Sequence, residues 1–143
     1  MLTVAVVLGA ALACASAASA ATYAYSATSK TLTVSFPAGN AMTVAARSGP
    51  AGAITYAFHV VDGLGWSDTG DAIPPEDVST SSAPGLLEIT AEDPPAAGNG
   101  LPLDKVVITG TDVGVTLQGW SVPWKTSLTA TLSGPDSTAT VVR

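Results

Sequence analysis

His59 is the only histidine of the chain, and Asp62 follows three residues later. A histidine beside a carboxylate is the base half of a nucleophilic site, which also needs a serine or cysteine within reach. Ser67 stands in Gly65-Trp66-Ser67-Asp68, which departs from the G-x-S-x-G elbow. His59 also falls on the polar phase of an alternation whose apolar phase is Ile54, Tyr56, Phe58 and Val60, so it is expected to face outward. Asp62, Asp68 and Asp71 crowd the segment DGLGWSDTGD. Three carboxylates with loop carbonyls suit calcium, but the closing Glu of an EF-hand loop is missing, and Asp and Gly are ordinary turn formers. Glu76-Asp77 and Glu92-Asp93 are adjacent acid pairs near prolines. Glycosidase chemistry needs two carboxyls facing each other across a cleft, whereas sequence neighbours read as solvated loop charge. These residues assign no catalytic group, no cofactor and no metal, and the expectation is a protein that is not an enzyme.

The tryptophans are the remaining candidates. Gly119-Trp120-Ser121-Val122-Pro123-Trp124 sets two indoles four residues apart, and Trp66 is the third. Exposed indoles stack on sugars or anchor interfaces, while buried ones plug a core. Trp120 and Trp124 are therefore the candidate glycan or interface contacts.

Behind these residues lies a chain in two parts. Lys30 is its first charged residue. Before it run branched aliphatics, then Ala and Ser, then two tyrosines. Five cations in a net charge of −6 exclude the clustered Lys and Arg that nucleic acid requires. The single cysteine, Cys14, permits no intrachain disulfide.

The head supports two readings. As an export signal, it has an apolar core over residues 2–12 and the small-x-small site Ala18-Ser19-Ala20, which would leave Ala21 first in the mature chain; no basic residue precedes the core. As one helix over residues 2–27 it would span ~39 Å, enough for a bilayer core. The side chains from Ala10 to Ala21 are nearly all small, which favours close helix packing over a lone anchor. Leu2, Val4, Val6, Val7, Leu8, Ala11, Leu12 and Ala15 are the expected assembly face of that helix, in a unit spanning residues 1–28.

Met1 to Tyr25, followed by the alternating Thr31–Phe36, resembles the layout of a type IV pilin of the archaeal kind. That resemblance implies an uncharged helix buried in a filament core and a β-rich head outside. Bacterial pilins carry Glu at the fifth mature position, where this chain has Ala5.

After Lys30 the hydrophobic period becomes two. Strands are expected over residues 31–36, 41–46, 53–61, 86–90, 105–109, 113–117, 126–132 and 138–142, with an irregular stretch over 62–84. Short strands separated by Gly, Pro and Asn turns predict a mainly β protein. Its body, residues 29–143, should be an antiparallel β-sandwich of Ig-like type with no internal repeat. The Thr- and Ser-rich outer faces suit an extracellular setting and could carry O-glycans. The expected function is a structural subunit of a cell-surface filament (a pilus). It would be membrane-held before assembly and then a helical homopolymer without nucleic acid. The alternative is a secreted β-sandwich that binds carbohydrate after losing a signal peptide.

Overall fold

The computed structural model describes residues 20–60, 65–81, 85–95, 97–120 and 126–142. The order of elements is β1 (Ala20–Ser26), β2 (Thr31–Ser35), β3 (Ala41–Ser48), β4 (Ile54–Val60), β5 (Gly65–Asp68), β6 (Val78–Ser81), β7 (Leu86–Ala91), β8 (Lys105–Thr111), β9 (Gly114–Trp120), β10 (Ser127–Ser133) and β11 (Thr138–Val142). They form two sheets, β10-β8-β2-β1-β5 (sheet A) and β11-β9-β3-β4-β7-β6 (sheet B). The protein is thus mainly β and sandwich-like, as the period-two patterning predicts.

Three expectations change. The first concerns the head. Residues 20–26 are strand, so a helix continuous to residue 27 is excluded, and the part of that helix within residues 1–19 lies outside the described residues. Tyr23 and Tyr25 explain the switch: two residues apart, they point to the same face of a strand and are buried. The second concerns the sheets, which are mixed and not antiparallel. β1–β2, β3–β4, β4–β7 and β6–β7 pair antiparallel, while β1–β5, β2–β8, β8–β10, β3–β9 and β9–β11 pair parallel.

The third is a repeat hidden in the sequence. From β8 onward each strand lies in the sheet opposite to its predecessor, so neighbours within a sheet come from successive windings. Thr31, Lys105 and Ser127 sit in one register across sheet A, and Ala41, Gly114 and Thr138 in one register across sheet B. Three strand–corner–strand coils, β2–β3, β8–β9 and β10–β11, are therefore stacked like turns of a solenoid. The ladder continues through the corners. Gly39 N–H donates to Asp112 O (2.9 Å), Asp112 N–H to Ser133 O (2.8 Å), Gly114 N–H to Asn40 O (3.1 Å) and Thr138 N–H to Val113 O (3.0 Å).

Stacking turns the alternation of each strand into columns. Leu32, Val106 and Leu128 form one, and Val34, Ile108 and Ala130 the next, all buried. Met42, Val44, Tyr56, Phe58, Leu87 and Ile89 meet them from sheet B. Full burial of such a side chain contributes roughly 1.5–3 kcal/mol, so the columns supply much of what holds the two sheets together. The stretch expected to be irregular, 62–84, contains β5 and β6, each four residues long and too short to show a period.

Candidate functional site

Outside the core, charged side chains converge on the outer face of sheet B. Arg47 on β3, Thr55 on β4 and Thr90 on β7 share one register across three strands. Glu88 lies two residues from Thr90, on the same face. The 3-10 turn Pro75–Asp77 packs beside them, completing a groove of about 260 Å³. Arg47 Nη2 donates to Glu88 Oε1 at 2.6 Å. The pair is partly exposed, so its contribution is only ~0–1 kcal/mol, but it commits the Glu88 carboxylate. Asp77 is nearly buried, and desolvation first, then the charge of Glu76, raises its carboxyl pKa above 3.8. A salt-bridged carboxylate beside the nearly buried Asp77 and the hydroxyls of Thr55 and Thr90 makes a polar, hydrogen-bonding surface.

The acid pairs expected from sequence are divided. Glu76 and Asp77 line the groove, whereas Glu92 and Asp93 build a loop. Gly98 N–H donates to Glu92 Oε2 (3.3 Å), Asp93 N–H donates to Asn99 Oδ1 (3.0 Å), and the Asn99 amide donates back to Asp93 O (2.8 Å). Arg47 and Glu88 were not singled out by sequence reading. Their only signal is that both are charged residues at outward strand positions, and their adjacency depends on strand pairing.

His59 lies on β4, on the face opposite the apolar set, as the alternation requires. It stands level with Thr43 and Leu86. Its Nε2 is sheltered and has no hydrogen-bond partner among the described residues. Asp62 lies outside the described residues. Ser67 is exposed on β5, paired with Thr22. The carboxylates of Asp68 and Asp71 accept from the backbone N–H of Gly70 (3.0 Å) and Ala27 (2.8 Å). Among the described residues no group of three His, Cys, Asp or Glu could hold a metal ion.

Trp66 is half-buried. Its Nε1 donates to Gly85 O (2.9 Å) and its ring lies 6.4 Å from that of Tyr23, tilted by 59°. It therefore bridges β5 to the residue before β7. Trp120 ends β9 opposite Ala46, and its side chain is outside the described set. Trp124, Cys14 and the expected assembly residues Leu2, Val4, Val6, Val7, Leu8, Ala11, Leu12 and Ala15 also lie outside the described residues. Among the described residues no helix is long and apolar enough to cross a membrane.

Compared with protein-family models, curated proteins and solved structures, the chain matches none.

Proposed function

We propose that this chain is a non-catalytic structural subunit of an extracellular, cell-surface assembly, exported by its apolar head and working through its β-sandwich body. One observation carries the export half. β1 begins at Ala20, and Ala21 is already fully buried between β2 and β5. The small-x-small site Ala18-Ser19-Ala20 thus stands directly before a core residue, and cleavage there would leave Ala21 and the rest of β1 in the folded body. The structural half draws support from a core of buried side chains between the two sheets, from a groove whose Glu88 is held by Arg47, and from Thr- and Ser-rich outer strand faces.

N-terminal sequencing of the exported protein tests this reading. Ala21 as first residue is expected. Met1 as first residue would overturn it and favour a retained helix in the core of a pilus-like filament.

A further inference from the structure

The groove on the outer face of sheet B holds a charge that the chain leaves unanswered. Asp77 ends the 3-10 turn Pro75–Asp77 and is 8% exposed. Its backbone N–H donates to Pro74 O (2.9 Å), but its carboxylate has no hydrogen bond and no ion pair among the described residues. A carboxylate withdrawn from water is ordinarily paired or hydrogen-bonded, because nothing else replaces its hydration. The Asp77 oxygens are not sealed inside the protein, and the residue lines the groove.

The other groups of the groove decide what would answer that charge. Among the described residues Arg47 is the one cation of the lining, and Glu88 already holds it at 2.6 Å. Glu76 adds a third, exposed carboxylate, so the lining carries more negative than positive charge. Thr55 Oγ1 and Thr90 Oγ1 lie 3.4 Å apart, and each can accept a further hydrogen bond. An anion entering here would meet Glu76 and Asp77 with Arg47 engaged elsewhere. A neutral ligand would leave Asp77 uncompensated. A metal ion lacks its ligand set, since among the described residues no three His, Cys, Asp or Glu could hold one. An organic cation needs less: one carboxylate for its charge and a few oxygen acceptors for its remaining N–H groups.

We propose that this groove binds the cationic head of a lysine or arginine side chain presented by a peptide segment. Asp77 is its ion partner, Glu76 a second carboxylate nearer the solvent, and the Thr55 and Thr90 hydroxyls are acceptors. The size agrees. A groove of about 260 Å³ holds roughly nine waters, which suits one long side chain and no larger body. Pro50 and Pro75 line the same groove and offer apolar surface to the methylene stem of such a side chain. Burial first, and then the charge of Glu76, disfavours the ionised form of Asp77; a bound cation offsets both. The net charge of −6 draws cations toward the chain as a whole. The groove belongs to the body, so the inference stands apart from how the head is processed.

Heteronuclear NMR of the full chain at low salt, titrated with the Nα-acetyl N-methylamide of lysine, tests this. The backbone amides of Asp77, Val78, Ser79 and Thr90 should shift, with a dissociation constant on the order of 1 mM. The arginine analogue should move the same amides. The lysine analogue acetylated on its side-chain nitrogen has lost the charge and should move none of them. Asp77→Asn keeps the shape of the groove and should weaken binding by about tenfold or more. Arg47→Gln frees Glu88 and should tighten binding or leave it as it is, whereas a site for anions would be lost. Silence with both cationic probes, equal shifts with the neutral one, undiminished binding to a folded Asp77→Asn, or loss of binding in a folded Arg47→Gln would overturn the proposal. The contrast between charged and neutral probe needs no variant, so it decides even where a substitution unfolds the chain.

Discussion

Single side chains set the cohesion of this fold where the two sheets meet. Tyr56 is fully buried, and its hydroxyl donates to Thr126 Oγ1 (3.0 Å) while accepting from Thr126 N–H (3.3 Å); Thr126 Oγ1 in turn donates to Leu103 O (3.3 Å). Tyr56→Phe removes the hydroxyl and leaves Thr126 N–H buried without that acceptor, so a loss of about 1–3 kcal/mol is expected in urea denaturation. Gly134 turns the last corner at φ +90°, and a Cβ there would collide with Asp112 Oδ1, the oxygen that accepts Asp136 N–H (3.2 Å). Gly134→Ala should therefore destabilise by more than ~1 kcal/mol from backbone strain alone, measurable on the same denaturation curve. Asp77 supplies a pH dependence. Its raised pKa means that the folded chain holds the proton better than the unfolded chain. Its stabilising contribution is complete below the ordinary carboxylate range and fades as pH rises through the raised value. Asp77→Asn should melt higher than the wild type at neutral pH and converge with it in acid. A lower melting point at pH 7 would show that the carboxylate is held by something stronger than the cost of its burial.

At the scale of elements, the columns make position in the stack the determinant of energy. Leu117 and Val141 belong to one column, but only Leu117 has a column neighbour on both sides, and it is 3% exposed against 44% for Val141. Leu117→Ala should cost about 2–5 kcal/mol, as truncations in packed cores do. Val141→Ala should cost less than ~1 kcal/mol, because nearly half of that side chain already faces water. Equal losses at the two positions would mean that β11 is covered within a single chain. The strands themselves were legible in the sequence. Leu32-Val34-Phe36 and Leu128-Ala130-Leu132 alternate cleanly, and eight strands lie where the period of two puts them. β5 and β6 were not legible, because four residues hold too few alternations. β1 was masked by composition: Ala and Ser before Thr22 read as helix, and only the two tyrosines betray an extended segment. The groove was half legible. Glu76 and Asp77 stood out as a pair, while Arg47 and Glu88 became neighbours only through the pairing of β3 with β4 and of β4 with β7.

For the molecule as a whole, the place of β1 changes what a truncation should do. It is an interior strand of sheet A, between β2 and β5, and it buries Ala21, Tyr23 and Tyr25. Removing residues 1–19 should leave a folded domain with a strand-type circular dichroism spectrum and a cooperative melt. Removing residues 1–25 should abolish that melt, although the sequence pattern placed the domain at residues 29–143. Composition and period determined by themselves that the chain is β-rich, acidic and headed by an uncharged apolar segment, because such properties follow from residue type and local spacing. Only the tertiary structure decided that the sheets are mixed, that three dissimilar segments stack as equivalent coils, and that among the described residues Val141 and Val142 of β11 are the large hydrophobics left exposed. Those features are set by pairings between residues far apart in the chain. A parallel pairing leaves no local trace in a strand's own alternation, so Thr31, Lys105 and Ser127 look unrelated until the ladder aligns them.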